Sequence, residues 1–214
     1  MPPFQGNGFE ILIEGPNPNL PHKCTPGCGD FIEKPNDRSG VFLDQKTKKY
    51  WIDRKTNSNC FILFSRCLSI IWGDDKSYWK WYSFPERSDV LVDIAELKRV
   101  CWFHVSGKFD TSNLTPGVTY EVAFMVMMKD TSTGWNIPVT LELITRNGEQ
   151  QEQQEHTESM LNKPKGQWME LLVSEFRTDQ DKDGEITFTL RETNDYYWKT
   201  GIVVKGVIIR PKTM

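Results

Sequence analysis

The sequence has little histidine and lacks the common catalytic motifs. Three His residues in 214 leave little material for a triad, and no two of them stand at metal-ligand spacing. A Gly-rich phosphate loop and a nucleophile elbow are also absent. We therefore predict a protein that is not an enzyme and that needs no cofactor and no metal.

The sequence also lacks a long apolar run and a strong charge of either sign. Its first residues show neither the charged region nor the apolar stretch of a secretory signal, which predicts a cytoplasmic protein without a membrane partner. The formal net charge is -3 at pH 7. Binding to nucleic acid or anionic lipid would therefore need a local basic patch.

Cysteine is present but cannot form a complete set of bridges. Five Cys residues stand at positions 24, 28, 60, 67 and 101, so at least one is free, intermolecular or reserved for redox chemistry. Cys24 and Cys28 lie among Pro and Gly residues, which predicts an exposed loop. A zinc knuckle is poorly supported, because a second closely spaced pair is missing and His22 is the only nearby imidazole.

Turn residues separate short apolar or alternating segments along most of the chain, a pattern typical of an all-β sandwich or barrel. Residues 1–40 are rich in proline and predict an irregular extension, and residues 41–214 predict the folded domain. Residues 49–52 and 60–64 predict a hairpin. The other strong strands are expected at 100–109, 119–128, 139–144, 168–173, 185–190 and 201–209.

Three further segments carry weaker signals. Residues 88–97 fit either one short helix or an extended connection, because Val90, Val92 and Ile94 are β-branched. Residues 146–166 are rich in Gln and acidic side chains and predict a polar loop. Residues 68, 70 and 72 alternate, which predicts one strand with Trp72 on the same face as the other two.

Aromatic residues are concentrated between positions 70 and 82. This segment holds five rings beside a turn rich in Gly, Asp and Ser: Trp72, Tyr78, Trp79, Trp81 and Tyr82. Wide rings next to hydrogen-bonding groups suit a ligand with one apolar face and many hydroxyls, above all a sugar. Any single Trp more often packs in a core, so the turn is what favours exposure.

Carboxylates near the end of the chain supply a second set of polar groups. Residues 179–185 resemble the first half of a calcium-binding loop, but position twelve is Leu190 and the flanks predict strands. A solvated acidic turn is the better interpretation, and weak calcium binding is the alternative. Glu185 and Glu192 suit hydrogen bonds to a sugar, although composition alone would place both on the surface.

Four segments, taken in order, resemble the plant phloem protein 2 family, which is related to the Nictaba lectins. They read LSIIWGDDKSYWKW at 68–81, AELKRVCW at 95–102, GQWME at 166–170 and WKTGIVVKGVIIRPK at 198–212. The resemblance implies a jelly-roll-like β-sandwich that binds N-acetylglucosamine oligomers, or glycoproteins that carry them, without catalysis. The family's sugar-site residues fall on Trp72, Trp79, Glu185 and Glu192, and Trp81 matches none of them.

The cysteine-bearing extension resembles that of the cucurbit phloem lectins. This implies a homodimer in companion cells and sieve elements, with disulfide cross-links to a phloem filament protein, and a role in sieve-tube sealing and defence. Cys24 and Cys28 are the expected exchange partners. Two other functions stay open: an RNA-carrying or adaptor protein with a secondary sugar site, and a glycoside hydrolase, for which no acid and base pair stands out.

Overall fold

The computed structural model describes residues 40–179, 184–193 and 197–212, all within the unit that spans residues 32–214. These residues form thirteen strands and three single-turn 3-10 helices at 44–46, 65–67 and 111–113. The strands are β1 (Val41–Leu43), β2 (Lys48–Ile52), β3 (Asn59–Phe64), β4 (Ser69–Ile70), β5 (Trp79–Arg87), β6 (Val90–Leu97), β7 (Phe103–Asp110), β8 (Thr119–Met128), β9 (Val139–Asn147), β10 (Gln150–Glu158), β11 (Trp168–Arg177), β12 (Gly184–Glu192) and β13 (Ile202–Pro211).

The strands form two sheets in which all named pairs are antiparallel. The larger sheet follows the order β1-β2-β3-β13-β6-β5, and β8 joins β13 to β11. The smaller sheet follows the order β10-β9-β12-β7-β4. One edge of β13 pairs with β6 at Val203 and Val204 and with β3 from Gly206 onward, and a register shift against β8 separates the two stretches. The last strand of the chain therefore holds the larger sheet together.

The core lies between the two sheets and consists of alternate residues of their strands. Phe124 on β8 and Phe188 on β12 meet edge to face, with ring centroids 6.0 Å apart and planes at 78°. Both rings are fully buried, and burial of one such side chain stabilises a fold by about 1.5–3 kcal/mol. This layered packing confirms the predicted all-β sandwich.

The structure confirms the predicted hairpin as β2 and β3, and the other strong strands as β7, β8, β9, β11, β12 and β13. Within the segment 88–97, residues 88 and 89 form a turn and residues 90–97 form β6, so the helical alternative is wrong. Val90, Val92 and Ile94 are buried while Leu91 is exposed, which is the two-residue repeat of a sheet. The β-branched side chains suit that conformation.

The polar loop predicted at 146–166 is wrong for residues 150–158, which form β10. All nine of its residues pair with β9, after a tight turn in which Gly148 adopts a φ of 63°. β10 is an edge strand whose side chains face solvent, so its Gln and Glu residues lose little hydration. Backbone hydrogen bonds to β9 hold these residues in an extended conformation, which their composition alone does not predict.

Candidate functional site

All eight tryptophans lie among the described residues, and exposure separates them into groups. Trp79 and Trp135 are buried, whereas Trp72, Trp102 and Trp198 each leave about half of their surface in water, at 48%, 49% and 51%. Single exposed apolar residues are common on soluble proteins, whereas exposed apolar patches mark binding sites. The three exposed tryptophans therefore define where a ligand would be sought.

Trp72 lies in a turn and not in the strand expected through residues 68, 70 and 72. β4 ends at Ile70, and Trp72 has a φ of 55°, in the left-handed region that bulky residues rarely adopt. The turn is closed by the amide of Gly73, which donates to the Ile70 carbonyl at 2.9 Å, and by the amide of Asp75, which donates to the Trp72 carbonyl at 3.0 Å. The prediction of a longer strand is wrong, because this turn directs the chain away from the sheet.

Two indole groups of β5 hold the backbone on both sides of Trp72. Nε1 of Trp79 donates to the carbonyl of Ile71 at 3.0 Å, and Nε1 of Trp81 donates to the carbonyl of Gly73 at 2.8 Å. Trp79 and Trp81 are two residues apart in one strand and therefore share a face. Their hydrogen bonds offset the backbone strain at Trp72 and fix its position.

The Trp72 ring packs against Tyr78 at the surface. Their ring centroids are 5.3 Å apart with planes at 37°. Between them in sequence, the Asp75 carboxylate accepts from the Ser77 amide at 2.7 Å, and this hydrogen bond lowers the pKa of Asp75. The turn thus presents two ring faces beside a carboxylate that stays ionised at neutral pH.

Two of the four residues assigned to sugar binding from the sequence are buried. Trp79 is 2% exposed and packs against Phe103, with ring centroids 6.3 Å apart. Glu192 is 3% exposed and forms an ion pair with Lys199, which is itself buried. Neither side chain reaches the surface, so each can act on a ligand only through the residues that it positions.

Lys199 connects the buried carboxylate to the chain segments that carry exposed rings. Its ammonium donates to the carbonyl of Cys101 at 2.6 Å and to the carbonyl of Tyr197 at 3.3 Å. Trp102 and Trp198 are the neighbours of these two residues in the chain. The Glu192–Lys199 pair therefore lies beneath the backbone that carries them.

Glu185 lies at the opposite end of β12 from Glu192. The two residues are seven positions apart, which places their Cα atoms about 24 Å apart in an extended strand, and an odd number of positions places the side chains on opposite faces of the sheet. Glu185 is partly exposed and forms an ion pair with Lys108 at 3.0 Å. The structure brings Trp72 and Trp79 together, but it does not bring the two glutamates together.

Comparison with known proteins matches residues 58–211 to the model of the family described as Phloem protein 2. The chain belongs to the phloem protein 2 family. It is 46% identical over 176 residues to Protein PHLOEM PROTEIN 2-LIKE A1 of Arabidopsis thaliana, which covers 82% of this chain and 71% of that protein. It is 40% identical over 175 residues to a protein of Luffa acutangula named Lectin, which covers 81% of each.

Among solved structures, the Clostridium thermocellum xylanase 10B fragment with its CBM22-1 and GH10 modules matches 70% of this chain and 27% of its own length. The TM-score is 0.38 and the identity 13%, a similarity too low to bear on function.

In this phloem protein 2 chain, the sequence predicted no role for four residues of the exposed surface or for the buried lysine beneath them. The exposed residues are Arg99, Trp102, Tyr197 and Trp198, and the lysine is Lys199. Two of the segments that carried the family resemblance, residues 95–102 and 198–212, contain most of them. The Trp-rich composition was the available signal, but these residues precede strands, where strand periodicity does not predict the direction of a side chain.

A polar groove of about 500 Å³ lies elsewhere on the phloem protein 2 sandwich. Its lining includes Asn147, Gln150, Gln154, Glu175 and Phe176. Among the described residues that line the groove, Phe176 is the only one with an aromatic ring, and none of the four residues assigned from the sequence is among them. The groove offers hydrogen bonds but no stacking platform, so the exposed tryptophans remain the better candidate surface.

The remaining predictions concern cysteines, metals and membranes. Cys24, Cys28 and most of the acidic turn at 179–185 lie outside the described residues, while Cys60 is a buried thiol on β3. Within the described ranges, no three His, Cys, Asp or Glu side chains come together in a metal-binding cluster. None of the helices in those ranges has the length and hydropathy of a membrane-spanning segment.

Proposed function

We propose that this chain binds oligosaccharides of N-acetylglucosamine without altering them chemically. The observation that carries the proposal is the half-exposed Trp72 ring on a turn that two indole groups hold in place. A fixed flat ring can stack on the apolar face of a pyranose or cover its acetamido methyl group, and little entropy is lost on binding. The Luffa acutangula relative named Lectin supports the same function.

The residues of the proposed site divide between contact and positioning. Trp72 and Tyr78 contact the sugar, and Asp75 accepts hydrogen bonds from its hydroxyl or amide groups. Trp79 acts through the Ile71 carbonyl, and Glu192 acts through Lys199. Glu185 lies too far along β12 to contact the same sugar ring, so we propose it only as an anchor for a ligand that reaches the other end of the strand.

Retention on immobilised chitotriose tests this assignment. We expect Trp72→Ala to weaken retention at least tenfold and to leave the thermal midpoint of unfolding nearly unchanged, because the ring is half in water. Leu161→Ala serves as the matched control, since it removes an equally exposed apolar side chain from another loop. Unchanged retention by the Trp72 variant would remove this residue from the site.

Trp79 needs a conservative change, because truncation of a buried tryptophan costs about 3–5 kcal/mol of folding free energy. Trp79→Phe keeps most of the ring and removes the N–H that donates to Ile71. We expect weaker retention in a folded protein, and full retention would show that the hydrogen bond does not position Trp72.

A second candidate function is binding of single-stranded RNA, with the sugar site secondary. The observation that favours it is a set of basic side chains around the exposed rings. Lys98 Nζ donates to the Lys76 carbonyl at 2.7 Å, and the Arg99 guanidinium lies 5.2 Å from the centre of the Trp198 ring. Bases stack on aromatic rings, and phosphates pair with cations. RNA binding that collapses as salt rises, and that survives Trp72→Ala, would support this alternative.

We further propose that the protein acts in phloem sieve elements and companion cells, in sieve-tube sealing and defence. There it would form a homodimer, with Cys24 and Cys28 exchanging disulfides with a filament protein. Gel filtration under reducing and oxidising conditions, with Cys24→Ser and Cys28→Ser variants, separates the two kinds of assembly. A dimer that survives reduction and both substitutions would be non-covalent.

A further inference from the structure

Trp198 is an exposed ring on a fixed backbone. The amide of Val100 donates to the Lys199 carbonyl at 3.0 Å, and the amide of Lys199 donates to the Val100 carbonyl at 2.7 Å. This antiparallel bridge places Trp198 beside Cys101, and the Lys199 ammonium is bonded to the carbonyls of Cys101 and Tyr197. Half of the Trp198 ring nevertheless remains in water.

A third element supports the same backbone from the other side. Gly134, with a φ of 83°, packs so closely against Trp198 that a Cβ atom at this position would overlap the Trp198 carbonyl oxygen. The amide of Thr200 donates to the Thr133 carbonyl at 3.0 Å. The loop after β8 therefore fixes the residues on both sides of Lys199.

A short path of direct contacts joins Trp198 to the Trp72 turn. The carbonyl of Tyr78, whose ring packs on Trp72, accepts from the amides of Lys98 at 2.7 Å and Arg99 at 3.4 Å. The Arg99 guanidinium then lies 5.2 Å from the centre of the Trp198 ring. Ring packing joins Trp72 to Tyr78, a backbone hydrogen bond joins Tyr78 to Arg99, and the guanidinium joins Arg99 to Trp198. We call these four linked residues the aromatic row.

We propose that Trp198 forms a second sugar-stacking position and that it sets the preference of the protein for longer N-acetylglucosamine oligomers. This inference rests on the proposed function, in which Trp72 and Tyr78 hold the first sugar ring. The Arg99 guanidinium supports the Trp198 ring by a cation–π contact and supplies donors to the hydroxyl and acetamido oxygens of the next ring.

The form of the surface suits an oligosaccharide better than a folded partner. Its exposed apolar residues are flat rings that alternate in the chain with charged and polar residues, whereas protein interfaces bury a contiguous apolar core. Of the exposed aliphatic residues, Leu91, Leu161 and Leu172 belong to other elements, and Ile137 lies in the loop between β8 and β9. A linear chain of pyranoses presents apolar faces and polar edges in alternation, and the aromatic row matches that pattern.

Calorimetric titration of the full-length protein with the dimer, trimer, tetramer and pentamer of N-acetylglucosamine tests the proposal. For the wild type we expect affinity to rise with length. For Trp198→Ala we expect the dimer to bind within about twofold of the wild type and the pentamer to bind about tenfold more weakly. Trp198→Phe should keep most of the gain with length, and Leu91→Ala is the control for loss of an exposed apolar side chain elsewhere.

The outcomes distinguish failure of the proposed function from failure of the second stacking position. If the wild type binds none of the oligomers, the proposed function fails and this inference fails with it. If the wild type binds but the Trp198→Ala profile is unchanged, or is lowered equally at every length, the second stacking position is wrong and the proposed function stands. Should Trp198→Ala fail to fold, Arg99→Ala decides the question, because it removes the donors and the support of the ring while leaving Trp198 in place.

Discussion

At the scale of single residues, the roles of the tryptophans depend on where their indole N–H groups donate. Trp79 and Trp81 donate to the carbonyls that flank Trp72, and Trp135 donates to the Thr200 carbonyl at 2.8 Å. These donors hold the turns from which Trp72 and Trp198 project. The indoles that position the site are therefore distinct from those exposed to a ligand.

The buried ion pair beneath the surface gives a prediction at this scale. Lys199→Met removes the ammonium from Glu192 and from two carbonyl oxygens, and we expect a loss of about 3–5 kcal/mol in the free energy of unfolding. Urea denaturation measures this loss.

The double variant Lys199→Met with Glu192→Leu should recover a substantial part of the loss, because it replaces both charges by apolar groups. A double variant that is as unstable as the single one would show that the hydrogen bonds to Cys101 and Tyr197, and not the ion pair, carry the effect.

The placement of the four site residues could be predicted from the sequence only in part. Local patterns and the family resemblance drew attention to Trp72 and Trp79, which the structure places together. Glu185 and Glu192 are seven positions apart on one predicted strand. Because side chains alternate between the two faces of a sheet, this odd number was already enough to place the two carboxylates on opposite faces. The burial of Glu192 could not be predicted, since it depends on Lys199 returning from a later turn of the chain.

At the scale of elements, the sequence predicted strands well where apolar residues alternate and less well where they do not. β8 matches its predicted bounds, and β13 differs from them by two residues or fewer. β10 is almost entirely polar, and its order depends on β9, a partner that composition does not reveal. The turn rich in Gly, Asp and Ser was expected, but Trp72 was assigned to the strand before it. That assignment was wrong because the left-handed conformation falls on this tryptophan and not on the neighbouring glycine.

The loop between β8 and β9 gives a prediction at this scale. We expect Gly134→Ala to lower stability by about 1–3 kcal/mol, because its φ of 83° strains any residue with a Cβ and because the Trp198 carbonyl must move. The same change should weaken binding of the N-acetylglucosamine pentamer more than that of the dimer.

The control for this loop is Gly148→Ala. Gly148 has a similar φ of 63°, but no atom lies within 4 Å of the Cβ that would be added. We expect a comparable backbone strain with no effect on binding. If both variants lowered pentamer binding equally, the contact between Gly134 and Trp198 would not be the cause.

At the scale of the whole molecule, the candidate surface is assembled from distant parts of the chain. The Trp72 turn precedes β5, Arg99 and Trp102 precede β7, and Trp198 precedes β13. More than a hundred residues separate the first of these segments from the last. Only the arrangement of the two sheets brings them together, which is why the sequence indicated the individual tryptophans but not the aromatic row.

Stability of the whole sandwich should depend on pH through His104, which lies on β7 in the smaller sheet. Partial burial, assisted by the charge of Arg191, lowers the pKa of His104 below its usual value of 6.5. The unfolded chain therefore takes up a proton at a higher pH than the folded chain does. The stability that neutral His104 contributes to the folded state is fully present above about pH 6.5 and is lost as the pH falls through the folded-state pKa.

We expect the free energy of unfolding of the wild type to fall between pH 7 and pH 5, by at most about 1.4 kcal/mol per pH unit from this one group. The free energy of unfolding of His104→Gln should fall less over the same range. Urea denaturation at several pH values measures the difference, and parallel curves for the two proteins would assign the pH dependence to other groups.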